Sequence, residues 1–146
     1  LSLLAGIDLL TGIAIPLVSE SHKSSNFINL LKKFDAMYPD GDMIRIICDN
    51  HLAHKSKETQ NYLAGRPQGR FVFVFTPTHG SWLNMIESFF SKMTKQMLSG
   101  IRVKSKEELE QRIYLYFDEV NAEPVVYHWK YRLDKISQVE AMEATL

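Results

Sequence analysis

Two carboxylates, Asp49 and Glu87, carry the chemistry that this sequence suggests. Carboxylates are hard oxygen donors, and a few of them without cysteines or several histidines suit Mg²⁺ or Mn²⁺ better than Zn²⁺. Ions held in this way activate a water or a 3′-hydroxyl and stabilise both the attacking and leaving oxygens of a phosphodiester displacement. Two protein carboxylates are few for a two-metal site, so the set reads as one ligand short. Spacing alone also leaves plainer readings open: Asp49 as a strand-terminal Asx turn, Glu87 as a solvated helix acid.

The elements that would position these acids are legible in the apolar pattern. Met43 to Cys48 is β-rich and apolar except for Arg45, as expected of a strand covered on both sheet faces, and it stops at Asp49-Asn50. Phe71-Val72-Phe73-Val74-Phe75 reads as a second buried strand. A turn punctuated by Pro77 and Gly80 follows, then a long helix whose Trp82, Ile86, Phe89, Phe90, Met93 and Met97 form an apolar stripe. Asn84, Glu87, Ser91 and Lys95 fall on its other side, and Ser81 can cap it. Ligands of open α/β sheets gather outside the carboxyl ends of strands, which is where both acids are expected.

Around this centre, Leu3 to Asp8 and Ile13 to Val18 suggest a hairpin with a glycine-containing turn, Pro16 sitting best on an edge. Ser24 or Ser25 can cap a helix to about Met37, with Phe27, Leu30, Leu31, Phe34 and Met37 as its apolar face. Ser56 caps a polar helix to about Leu63. Gly100 gives a stop, and Ser105-Lys106-Glu107-Glu108 is a capping box for a helix with Leu109, Ile113, Tyr116, Phe117 and Val120 inward. The order is β-β-α-β-α-β-α-α, an α/β mixed sheet flanked by helices. The core is expected over 1–136 and a frayed tail over 137–146.

Composition narrows the classes. At 146 residues, 45% hydrophobic and 23% charged, the chain has the make-up of one globular domain. No apolar run approaches the ~20 residues of a membrane span, and no basic leader opens the chain. The single cysteine, Cys48, excludes an internal disulfide framework and fits a reducing compartment. A formal net charge of zero argues against a dedicated nucleic-acid-binding domain. The chain starts at Leu1 within an apparent strand, which reads as a fragment.

Ile46-Ile47-Cys48-Asp49-Asn50-His51-Leu52-Ala53-His54-Lys55 and then Phe75-Thr76-Pro77-Thr78-His79-Gly80-Ser81-Trp82-Leu83-Asn84-Met85-Ile86-Glu87 closely resemble the catalytic domain of bacterial insertion-sequence transposases of the mariner superfamily, DDE superfamily endonucleases. Leu3 to Gly12 and Asn121 to Trp129 are similar to that family too. The resemblance implies a ribonuclease-H-like fold and an Asp-Asp-Glu triad holding two Mg²⁺ or Mn²⁺ ions. Asp49 matches the second acid and Glu87 the third. It further implies metal-dependent DNA strand cleavage and transfer, transposon ends and target DNA as partners, a homodimer in the intact protein, and a bacterial cytoplasmic, nucleoid-associated location.

The first acid of the family pattern lies upstream of the block matching Leu3 to Gly12, so the sheet is expected to lack its first strand and the isolated chain to be inactive or nearly so. Asp8 is the one early candidate to replace it, at the strand-to-turn position. The family's upstream helix-turn-helix region has no counterpart here. Rival readings are a catalytically dead remnant that folds or oligomerises, and a ribonuclease-H-type nuclease.

Other residues carry weaker signals. Cys48, His51 and His54 superficially suggest zinc, but adjacent strand residues face opposite sides, so Cys48 and Asp49 do not easily share an ion. Trp82 reads first as core and second as a stacking platform for a base. Asn84 shares the face of Glu87 and is a candidate for DNA contact. Lys95, in a basic run with Lys92, Arg102, Lys104 and Lys106, is the best single phosphate contact.

Overall fold

The computed structural model describes residues 1–21, 23–49, 55–76, 83–124 and 138–145, with the backbone alone at 49, 76, 83–85 and 138–145. Five strands form one sheet: β1 (Ser2–Asp8), β2 (Ala14–Ser19), β3 (Ile44–Asp49), β4 (Phe71–Thr76) and β5 (Gln138–Thr145), ordered β2-β1-β5-β3-β4. Four helices flank it: α1 (Ser24–Met37), α2 (Lys57–Ala64), α3 (Leu83–Met93), continued by a π-helical turn Thr94–Leu98, and α4 (Lys106–Ala122). This is the ribonuclease-H-like mixed α/β class expected from the sequence.

Strand alternation divides the core into two layers. Leu3, Ala5 and Ile7 of β1 pack with Ile86, Phe89 and Met93 of α3 and with Ile113 and Phe117 of α4. Leu4, Ile15, Ile44, Ile46 and Cys48 pack on the other face against Phe27, Leu30, Leu31 and Phe34 of α1. The predicted apolar stripes of α1, α3 and α4 are therefore the faces that bury, except that Met37, expected on the α1 face, is 49% exposed and Trp82 of the α3 stripe lies outside the described residues. Ser105 Oγ accepts from the Glu108 amide at 3.1 Å, while the Glu108 carboxylate accepts from the Lys104 amide at 2.7 Å, one residue before the N-cap. Ser56 caps α2 through the Thr59 amide at 3.2 Å. For α1 the expectation differs: Lys23 is the N-cap and no side chain caps the helix.

Its other end is closed by a buried arginine. Arg70, 4% exposed, donates to Asp35 Oδ1 at 2.8 Å and to the carbonyls of Asp35, Tyr38, Pro39 and Asp42 at 2.6–2.9 Å. Those acceptors include carbonyls left over where a helix ends. The guanidinium replaces water there and ties α1 to the start of β4.

Edge strand β2 is covered by side chains. Asn121 accepts from the Ala14 amide at 2.8 Å and donates to the Ala14 carbonyl at 2.7 Å. The Tyr114 hydroxyl accepts from the Val18 amide at 3.0 Å, and the Lys33 ammonium donates to the Pro16 carbonyl. Pro16, at the same parity, has no N–H to leave open, so the edge offers little to a further strand. At the far side, β4 is also an edge. Val74 and Phe75 are 40% and 38% exposed, which corrects the reading of 71–75 as a buried strand.

The larger correction concerns the end of the chain. Residues 138–145, expected to fray, form β5 in the middle of the sheet, antiparallel to β1 and parallel to β3. The physical reason lies in its neighbours: without β5, the inner edges of β1 and β3 would both be left with unpaired backbone groups.

Candidate metal centre

β3 ends at Asp49, whose backbone pairs with Thr76 at the carboxyl end of β4. Asp49 has the parity of Ile47, opposite to Ile44, Ile46 and Cys48, which face α1. Its position is therefore on the face that α3 and α4 cover. α3 crosses that face and packs over β5. Ile86, fully buried, is fixed against Leu3, Ala5 and Ile7. Phe89 is held by the Phe117 ring, with centroids 5.2 Å apart.

Glu87 follows Ile86 on this anchored helix and is half-buried. No hydrogen bond or ion pair to its carboxylate occurs among the described residues. The position of Asp49 and the helix that carries Glu87 are thus on one side of the sheet. Among the described residues no three His, Cys, Asp or Glu side chains gather into a metal cluster.

Asp8 is not part of this centre. Through β5, Asp8 and Ile46 are both level with Val139, three residues short of Asp49. Three residues amount to about 10 Å along the strand, and two strand spacings add roughly another 10 Å across the sheet. Its side chain is on the α1 face, where Oδ2 accepts a 2.6 Å hydrogen bond from Tyr38. Oδ1 accepts from the amides of Leu10 and Thr11 at 2.8 and 3.3 Å. Asp8 is the Asx residue of the β1–β2 turn, where Gly12 takes the left-handed conformation at φ +78°.

The remaining candidates distribute unevenly. Asn84 is in the first turn of α3, one turn before Glu87. Lys95 is exposed in the π-helical turn, about 12 Å along the helix axis from Glu87. That turn was not visible in the sequence; Tyr116 secures it by donating to Gln96 Oε1 at 2.9 Å. Trp82, the predicted cap Ser81, Asn50, His51 and His54 lie outside the described residues. Lys55, passed over in the sequence, is exposed with its ammonium 4.5 Å above the Phe75 ring. Phe75 pairs with Cys48 next to Asp49, so this cation stands at the same end of the sheet.

The sheet order and flanking helices define a ribonuclease-H-like α/β domain. A profile of the DDE superfamily endonuclease family matches residues 1–110, and the chain belongs to that family. It is similar to the insertion element IS630 uncharacterized 39 kDa protein of Shigella sonnei, with 29% identity over 104 residues, 71% of this chain and 30% of the relative. The chain thus spans under a third of that relative's length. No solved structure matches. No helix among the described residues is long and apolar enough to cross a membrane.

Proposed function

We propose that this chain is the catalytic core of a DNA transposase of the mariner-superfamily type, with Asp49 and Glu87 as metal-holding acids. The supporting observation is the backbone position of these two residues within a DDE endonuclease domain: a strand's carboxyl end and the helix crossing that face. Both are hard oxygen donors, the chemistry that Mg²⁺ or Mn²⁺ requires. When bound, such an ion supplies Lewis acidity for in-line displacement at phosphorus.

The chain's own contribution is position and charge. Burial of Ile86, Phe89 and Met93 fixes α3, and with it the height of Glu87 above the sheet. Exposed Lys92 and Lys95, with Arg102 and Lys104 beyond, offer cations for a phosphate backbone. We assign a DNA contact to Asn84, one turn before Glu87 on α3, and base stacking to Trp82. Transposon ends and target DNA are the substrates, and the whole protein works as a homodimer.

Calorimetric titration of the chain with Mn²⁺ tests this reading. Binding is expected, with Asp49→Asn and Glu87→Gln each weakening it at least tenfold, as second-shell losses alone cost 10–100-fold. Failure of the chain to bind Mg²⁺ or Mn²⁺, or binding indifferent to Asp49→Asn, would sink it. Nicking of supercoiled plasmid by the isolated chain is expected to be weak or absent, because Asp8 is engaged elsewhere and the family's first acid has no match on β1. That same engagement favours a second reading, a folded module without chemistry. A stable oligomer indifferent to both metals would support it, and cleavage of RNA–DNA hybrid alone would point to a ribonuclease-H-type nuclease.

A further inference from the structure

We infer that two copies of this chain pair through the outer edge of β4, strand to strand and antiparallel, about a two-fold axis at Phe73. The inference gives the homodimer proposed above an interface and does not depend on the metal-holding reading of Asp49 and Glu87. β4 ends the sheet, with β3 on one side and no strand on the other among the described residues. Along a parallel pair, alternate residues turn both N–H and C=O to the neighbouring strand, and the residues between them turn both away. The Ile44 amide donates to the Arg70 carbonyl at 2.7 Å, and the register set there runs from Ile44↔Phe71 to Asp49↔Thr76. Val72 and Val74 therefore bond to β3, while Phe71, Phe73 and Phe75 present their backbone groups outward. Among the described residues, no side chain or turn hydrogen-bonds to those outward groups.

The edge is also complementary to itself. Phe71-Val72-Phe73-Val74-Phe75 reads the same in both directions. Antiparallel pairing about Phe73 sets Phe71 against Phe75 of the second copy, Val72 against Val74, and Phe73 against Phe73. Every outward N–H and C=O then meets its complement, and aromatic side chains stand opposite aromatic ones. A register shifted along the strand pairs fewer of the three phenylalanines. No residue of 71–76 is charged, so no like charges meet at the axis. Val74 and Phe75, 40% and 38% exposed, supply apolar surface for the pairing to cover. The opposite edge sets the limit: Asn121, Tyr114 and Lys33 already hold the β2 backbone, so the assembly closes at two copies instead of growing into a filament.

The test uses the full chain in chelator, by sedimentation equilibrium over a range of concentrations and by amide hydrogen exchange read residue by residue. A reversible dimer is expected. The amides of Phe71, Phe73 and Phe75 should gain protection as the dimer fraction rises, while those of Val72 and Val74 are protected throughout. A dimer in which the three phenylalanine amides exchange freely has its interface elsewhere; the inference then fails and the homodimer stands. Their protection in the monomer would mean that the chain covers its own edge, which also overturns it. So would a chain that stays monomeric or forms only fibres. Paired substitutions check the register. Val72→Lys with Val74→Lys sets lysine opposite lysine across the axis and is expected to weaken dimerisation about tenfold or more. Val72→Lys with Val74→Glu sets lysine opposite glutamate and is expected to keep the dimer. Equal dimerisation by the two variants refutes pairing about Phe73. Should thermal melts show that either variant does not fold, the exchange pattern of the unmodified chain decides. Because chelator is present throughout, failure of the metal centre and failure of this interface are read separately.

Discussion

The Tyr38 hydroxyl donates a 2.6 Å hydrogen bond to Oδ2 of Asp8, joining the end of α1 to the β1–β2 turn on the sheet face remote from Asp49. This pair turns Asp8 from a candidate metal ligand into a structural acid. Asp8→Ala leaves the Tyr38 hydroxyl and the Leu10 and Thr11 amides without their acceptor. The expected loss is about 1–3 kcal/mol of stability, with Mn²⁺ affinity unchanged. Urea denaturation and calorimetry on the same variant check both halves. A large fall in metal affinity with stability intact would return Asp8 to the site.

The pair also fixes a pH dependence. Burial first, then the hydrogen bond to and charge of Asp8, push the Tyr38 phenol well above its ordinary pKa of 10.0. A group whose folded pKa is raised contributes stability that is complete below its unfolded pKa and lost as pH rises towards the folded one. Stability is therefore expected to decline above pH 10 more steeply in the unmodified chain than in Tyr38→Phe. Denaturant melts from pH 8 to 11 measure the difference, and parallel curves would contradict it.

Arg70 and Arg66 offer a matched comparison, since both pair with Asp35 at 2.8 Å. The Arg70 side chain is 3% exposed and carries four carbonyl bonds besides; that of Arg66 is 33% exposed. Arg70→Met is expected to cost about 3–5 kcal/mol, because it strands several buried acceptors at once. Arg66→Met should cost about 1 kcal/mol or less. Chemical denaturation of the two variants tests the ordering.

Asn121→Ala uncovers both the amide and the carbonyl of Ala14 on the β2 edge. About 1–2 kcal/mol of destabilisation is expected, together with a greater tendency to associate, because exposed strand edges recruit other strands. Light scattering beside a thermal melt reads both effects.

What was legible in the sequence follows from where each signal originates. Caps and stripes are local: Ser56, Ser105 and the runs through Phe27, Ile86 and Ile113 declare themselves within one or two turns, and the structure uses them as written. The positions of Asp49 and Glu87 at a strand end and on a helix were readable for the same reason. The capping of α1 was not. Its Ser24 and Ser25 are good capping residues, yet the helix begins after Lys23, earlier than either serine can cap. Nor does the aromatic and β-branched run 71–75 say whether it is central or at an edge, since burial depends on partners far along the chain. Arg70 gave no warning either, because its acceptors besides Asp35 Oδ1 are carbonyls brought together by the end of α1 and the turn that leads into β3. For β5, with Glu140 and Glu143 within it and no strong apolar run, strand formation is conferred by β1 and β3 on either side.

The central place of β5 has a consequence for how the molecule comes into being. Among the described residues, the hairpin β1–β2 and the pair β3–β4 share no ladder and are joined through residues 138–145. During synthesis the two halves can gather their helices early, but the sheet remains split until those residues leave the ribosome. The pairing that closes it links Ser2 to Thr145, residues far apart in the sequence. Closing the sheet is therefore slow, with two unpaired inner edges exposed to association while it waits.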